Sequence, residues 1–305
     1  MKDKPELSVL VPFFGNFDRR RLELAMASVR AQSEKGIEFL ICTGRKAINC
    51  DINSLSFDTE GVLSIFGSGN SNLPQDMPRG AIYNQGIKVA RGEYLYISDS
   101  DIVFPNRFFE ELIETAKTLN TPLQRPMMRR LLLPDFEQFY TMASSRGIEE
   151  SLNALDFSQE FVVKLDKNPR DLRVFRKWEN GRMKTFVITD EDFIEYSSNP
   201  ENKGAEPKFF NQERHCGSTF ARKKEFEYIG GCCEKFISWG CWDADLQWKL
   251  KEIYGISYMS GEVIHLDHNK GYFNKDRWKV DRKFQERRRA RGANQCITDD
   301  KGGYL

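Results

Sequence analysis

The 305-residue sequence contains no apolar run of the roughly 20 residues that a helix needs to cross a bilayer. It has almost no net charge. With 46 Lys and Arg against 45 Asp and Glu, it lacks the excess of cations expected of a nucleic-acid binder. Its seven cysteines, at 42, 50, 216, 232, 233, 241 and 296, show no C-x-x-C spacing, so nothing implies a zinc site. Reduced thiols in a cytoplasm are the economical reading. The opening Met-Lys-Asp-Lys-Pro-Glu runs into a strand without the apolar stretch of a signal peptide. No Gly-rich, Lys-bearing phosphate loop follows that strand, which argues against a nucleotidyltransferase. No internal repeat is visible. What is present is a 40% apolar share with 23 Phe, 10 Tyr and 5 Trp, enough for a real core and for rings that line a groove.

Leu7 to Pro12 reads as a buried strand ending at a proline. Leu22, Ala25, Met26 and Val29 then fall on one face of a helix ending near Gln32, and Ile37 to Cys42 reads as a second strand. This β-α-β order implies parallel strands joined by a right-handed crossover. A third strand is expected over Val62 to Phe66 and a helix over Gly80 to Ala90, ended by Arg91-Gly92. Tyr94 to Ile97 is the next strand, and Pro105 opens a helix whose apolar face is Phe108, Leu112 and Ala116. From 121 to 210 the alternation is lost. Leu131 to Leu133, Phe161 to Val163 and Phe186 to Ile188 are short strand candidates there, and the region reads as an insertion or lid. Leu246, Leu250, Ile253 and Tyr254 share a helix face capped by Gly255, and short strands at Ile256 to Met259 and Val263 to Ile264 flank Gly261. The tail after Asn274 is basic and helix-permissive.

The strand over Tyr94 to Ile97 runs into Asp99 and Asp101. Carboxylates at i and i+2 leave an ideal strand on the same face, which in an open α/β sheet borders the ligand crevice. Like charges so close repel unless a cation sits between them. Oxygen ligands suit Mg²⁺ or Mn²⁺, with a diphosphate as natural co-ligand. A plain polar turn is the competing reading. Asp243 lies at the start of a helix, where a carboxylate serves as a helix cap or as a general base.

Several motifs follow one another along the chain. Ser8 to Pro12 leads to Gly80-Ala81-Ile82-Tyr83-Asn84-Gln85-Gly86-Ile87, then Ala90-Arg91-Gly92-Glu93-Tyr94, then Asp99-Ser100-Asp101. Ile229-Gly230-Gly231 with Glu234, and Trp239-Gly240-Cys241-Trp242-Asp243-Ala244-Asp245-Leu246, follow in the second half. This series resembles the GT-A glycosyltransferases, in particular the family 2-like bacterial enzymes of capsule polysaccharide synthesis. It is also similar to the galactosyl- and N-acetylgalactosaminyltransferase domains. The resemblance spans roughly residues 7–116 and 215–270. The chain departs from the family wording at Cys42-Thr43-Gly44-Arg45, where Asp-Asp-Gly-Ser is usual. Cys233 stands in place of an Asp, and Trp242 in place of a Glu.

The resemblance implies an α/β, Rossmann-like GT-A fold: a mixed, mainly parallel sheet flanked by helices, with an acceptor-side insertion. Residues 1–120 would bind the nucleotide-sugar, 121–210 form the insertion, 211–274 complete the acceptor side, and 275–305 form the basic tail. It implies metal-dependent inverting transfer from a UDP-linked sugar to a glycan or lipid-linked acceptor in surface polysaccharide synthesis. The alternative is a non-catalytic nucleotide-sugar or glycan-binding protein on the same fold. Asp99 and Asp101 would hold Mn²⁺ or Mg²⁺, with His265 or His268 as third ligand. Pro12, Phe13 or Phe14, and Arg79 would approach the nucleotide and diphosphate; core packing and a solvated helix start are the plain alternatives. Asp243 would be the base, and Trp239, Gly240, Trp242 and Glu234 would meet the acceptor. His215 reads as structural. The expected location is the cytoplasm or the inner face of the cell membrane, where the basic tail would meet anionic lipid or a charged glycan unless it is simply a solvated helix face.

Overall fold

The computed structural model describes residues 4–13, 19–32, 36–44, 62–67, 79–131, 133–154, 158–165, 168–179, 182–187, 214–237, 240–266 and 275–304. The first half alternates as the sequence suggests: β1 (Leu7–Phe13), α1 (Arg19–Arg30), β2 (Ile37–Gly44), β3 (Val62–Gly67), α2 (Arg79–Val89) and β4 (Tyr94–Ile97). Then come β5 (Ile102–Val103), α3 (Phe108–Leu119), β6 (Leu123–Gln124), β7 (Met127–Leu131), α4 (Leu133–Arg146) and α5 (Ile148–Ala154). Among the described residues, strands β8 (Ser158–Leu165), β9 (Asn168–Glu179) and β10 (Arg182–Val187) pair only with each other, antiparallel. The chain closes with β11 (Thr219–Arg222), α6 (Lys223–Tyr228), α7 (Cys241–Tyr254), β12 (Ser257–Tyr258), β13 (Glu262–Leu266), α8 (Lys275–Arg291) and α9 (Ala293–Tyr304).

The main sheet is seven-stranded and mixed, in the order β12-β6-β11-β4-β1-β2-β3. Strands β4, β1, β2 and β3 are parallel, while β11 runs antiparallel against β4. The chain winds outward from β1 to β3 and returns on the other side of β1 as β4. In an open α/β sheet such a reversal of strand order marks the usual ligand position, beyond the C-terminal ends of the strands, here β1 and β4. β1 is buried at every position, as a strand covered on both faces must be. Val9, Val11 and Phe13 pack with Leu22 and Met26 of α1 and with Phe109 and Leu112 of α3. Leu10 faces the other way, into a layer with Ile82 and Tyr83 of α2 and Trp242 and Leu246 of α7.

A second, three-stranded sheet, ordered β5-β13-β7, adjoins the first. β4 ends at Ile97 and β5 begins at Ile102, so the four residues Ser98-Asp99-Ser100-Asp101 join the two sheets along the chain. The backbone N–H of Leu266 on β13 donates to the Asp101 carbonyl at 2.8 Å, which fixes the seam.

Two expectations about organisation are corrected. Residues 121–154 do not belong to an insertion: β6 lies inside the main sheet, β7 in the second, and Phe136 and Phe139 of α4 share a core with Leu24 and Val103. Burial decides this: both rings are at most 2% exposed within that shared core. Nor is 275–305 simply a solvated basic tail. α8 turns a polar face inward: Asp281, Gln285 and Arg288 are all buried. Asp281 accepts from Ile237 N–H, and Gln285 donates to the Cys241 carbonyl at the start of α7. Arg288 grips Asp245 through Nε and Nη2 at 2.9 and 3.0 Å, and also donates to Asp300. Lys249 completes the network, donating to Asp300 and to the Ile229 and Gly231 carbonyls. The neighbouring Arg287, Arg289 and Arg291 are exposed.

Candidate functional site

Asp99 and Asp101 lie in the short connection after β4, where Ser100 and Asp101 form a turn, and each faces an imidazole. Asp101 is buried, with its Oδ2 3.6 Å from Nε2 of His265 on β13. Asp99 Oδ2 lies 3.2 Å from Nε2 of His215, and its Oδ1 is 4.0 Å from Arg79 at the start of α2. The two imidazole rings stand 6.1 Å apart. His215 occupies this position because β11 is antiparallel to β4: Thr219 pairs with Ile97, so the residues before β11 abut the end of β4.

The acceptor-side helix begins at Gly240, whose φ of 113° belongs to the region glycine favours, and whose missing side chain leaves space beside Trp278. Gly240 is the helix cap, so Asp243 sits in the first turn and is not the cap that its sequence position allowed. Its Oδ1 accepts from the Ala244 N–H at 2.7 Å. Burial pushes the Asp243 carboxyl up to about 7, with the charge of Asp99 adding to the rise and Arg125 and His215 opposing it. Asp243 therefore lies within the electrostatic reach of Asp99. One turn on, Gln247 donates to the Cys216 and Ser218 carbonyls and accepts from Arg125, so α7 is tied to the segment carrying His215.

The loop between α6 and α7 is held from both sides. Asn84 of α2 accepts from Cys232 N–H and donates to the Cys232 carbonyl and to Glu234, while Lys249 of α7 binds the Ile229 and Gly231 carbonyls. Glu234 itself is exposed.

The remaining expected site residues fall differently. Phe13 is 2% exposed and packs in the core between β1 and α1, so it does not flank a base; Pro12 is buried at the same strand end. Trp242 is 2% exposed and stacks on Tyr83 at 4.8 Å, because the inward face of α7 carries it with Leu246 and Leu250. It is a core residue, not an acceptor platform. Phe14, Trp239 and His268 lie outside the described residues.

The chain matches no known family model and no curated protein. The fold and the local chemistry are thus what bear on function. Among the described residues, no group of three His, Cys, Asp or Glu is gathered tightly enough to hold a metal ion. The donor chemistry of Asp99, Asp101 and His265, carboxylate oxygen with one imidazole, still suits Mn²⁺ or Mg²⁺.

Gly217 offers a direct test of the carboxylate cluster. A Cβ at this position would stand 2.8 Å from Asp99 Oδ2 and 3.1 Å from the His215 ring. Gly217→Ala should leave thermal stability within a few degrees, since a flexible carboxylate end can swing away. It should at the same time weaken divalent-cation binding by about tenfold or more. Unchanged cation affinity in a folded variant would detach Asp99 from that role.

Proposed function

We propose that the protein is a GT-A glycosyltransferase that moves a sugar from a nucleotide-sugar, UDP-linked by the resemblance, to a hydroxyl of a glycan or lipid-linked acceptor. Inversion at the anomeric carbon is part of the reading. The observation that carries it is the placement of Asp243: a carboxyl buried in the first turn of α7 and raised to about 7, mainly by burial and in lesser part by the charge of Asp99. A base poised near neutrality opposite a pair of strand-end carboxylates is what such a transfer requires.

In this reading the donor diphosphate lies at Asp99 and Asp101, with Arg79 at the start of α2 beside it. Asp99, Asp101 and His265 would hold a divalent cation, which when bound supplies charge relief to the departing diphosphate. Asp243 takes the proton from the acceptor hydroxyl. The acceptor oxygen then bonds to the anomeric carbon as the carbon–oxygen bond to the diphosphate breaks, its electron pair leaving with UDP. Tyr83 anchors this geometry: its hydroxyl donates to the Ser98 carbonyl at 2.7 Å while its ring supports Trp242, one residue before the base.

The replacements that favour a non-catalytic reading, Cys42, Cys233 and Trp242, are all buried in the core between α2 and α7. They fill packing space there, which supports the catalytic reading over the non-catalytic one. As for location, no described helix is long and apolar enough to cross a membrane.

The test is UDP release from a panel of nucleotide-sugars with Mn²⁺ and with excess EDTA. Asp101→Ala should lose activity and UDP affinity together while still folding, because removing one of two clustered like charges relieves repulsion. Full activity of this variant, or of the wild type in EDTA, overturns the metal role.

A further inference from the structure

We propose that His215 is a positioning residue that fixes the rotamer of Asp99, so that one carboxylate oxygen is held and the other is presented. The inference rests on the donor-end role given to Asp99 above.

His215 is 4% exposed and is anchored at both ring nitrogens. Its Nδ1 lies 2.7 Å from Ser218 Oγ, which is 2.7 Å from the Tyr96 hydroxyl on β4. Its Nε2 lies 3.2 Å from Asp99 Oδ2. A hydroxyl has a single proton to donate, which limits how this row can be wired. In one direction Tyr96 donates to Ser218, Ser218 donates to Nδ1, and the ring proton on Nε2 points at Asp99. In the other, Nδ1–H donates to Ser218 and a bare Nε2 faces a carboxylate, two acceptors with nothing between them. The carboxylate selects the first direction. A charged ring, with protons on both nitrogens, also directs Nε2–H at Asp99, so the contact does not depend on protonation state. Burial pushes the Tyr96 hydroxyl up, which keeps its proton available for the row.

With Oδ2 engaged by His215, Asp99 Oδ1 is the oxygen that faces Arg79 at 4.0 Å. The row is rigid because its members belong to paired strands: Tyr96 is opposite Phe220 in the β4–β11 register, and Gln247 holds the Ser218 carbonyl from α7. The segment that carries His215 thereby joins the donor-side strand to the helix that bears Asp243.

Two measurements test this. The first is Mn²⁺ affinity of the free protein, read by the loss of the free-ion electron-resonance signal. His215→Ala should weaken binding by about ten- to a hundredfold, as loss of a partner behind a metal ligand does. His215→Gln, which returns an N–H donor, should recover most of that loss, and thermal melts confirm that both variants fold. Affinity in His215→Ala within about twofold of wild type, or no recovery by Gln, overturns the proposal. The second uses the metal-free protein and nitrogen-resolved NMR of the imidazole rings. The His215 ring proton should sit on Nε2, and its resonance should shift in Asp99→Asn. A neutral ring protonated at Nδ1, or an Nε2–H resonance indifferent to Asp99→Asn, overturns it. A wild type that binds no Mn²⁺ would sink the metal reading above, and the NMR result then decides the position of His215 by itself.

Discussion

Asp243→Asn should fold, bind UDP with wild-type affinity, and transfer sugar about a hundred- to ten-thousand-fold more slowly. Asn preserves the shape and still accepts the Ala244 N–H, but it takes no proton. In the wild type the rate should climb as pH rises through about 7, where the carboxyl ionises, and then level off. That rising limb should vanish in the variant. Stability gives an independent reading. A carboxyl near 3.8 in the unfolded chain and about 7 when folded binds more protons in the native state between those values. Its burial therefore costs nothing below about pH 4, and the cost grows as pH rises through about 7. Asp243→Asn removes that cost, so it should be more stable than wild type at neutral pH, on the order of a few kcal/mol, with the difference fading in acid. Near-normal turnover would move the base elsewhere. A variant that melts earlier than wild type at neutral pH would show that Asp243 serves the helix more than the chemistry.

The second large effect belongs to Arg288. Asp245 is fully buried and has Arg288 as its bidentate partner. Burial pushes the Asp245 carboxyl up and the guanidinium pulls it back, so removing the guanidinium strands a charge in the interior. Arg288→Ala should cost about 3–5 kcal/mol in urea unfolding. The pair replaced together, Arg288→Met with Asp245→Leu, should regain most of that, because no unpaired charge is left behind. A loss below about 1 kcal/mol in Arg288→Ala would mean that water reaches the site and the network is weaker than its distances imply.

These two residues also show what a sequence displays and what it hides. Asp99 and Asp101 were legible because strand and carboxylates are near neighbours in the chain, and Asp243 because the motif from Trp239 to Leu246 resembles the one that presents a base in the GT-A enzymes. His215 was not, since its partners come from β4 and β11, brought together only by sheet pairing. Its one available signal was topological: whatever precedes a strand antiparallel to β4 must lie beside β4's carboxylates. Arg288 was hidden for another reason. The inward face of α8 pairs Trp278 and Phe284, which pack on the core, with the buried polar groups Asp281, Gln285 and Arg288. Hydrophobic periodicity finds such a face poorly, because half of it docks by hydrogen bonds. Trp242 differs in the opposite sense: the resemblance implied an acceptor contact, whereas in the structure its ring packs with Leu246 and Leu250 in the core.

The antiparallel pairing of β4 with β11 carries a kinetic consequence as well. Tyr96 and Ser218 are 122 residues apart in the chain, so β4 gains its second neighbour only after a long loop has closed. Until then, Tyr94 to Ile97 has one side of its backbone unpaired, in an apolar stretch of high β-propensity. High contact order of this kind slows folding and lengthens the exposure of that edge. The strand that ends in the carboxylates is thus also where refolding competes with aggregation. Refolding yield should fall with protein concentration, and any change that delays β11 should be felt there first.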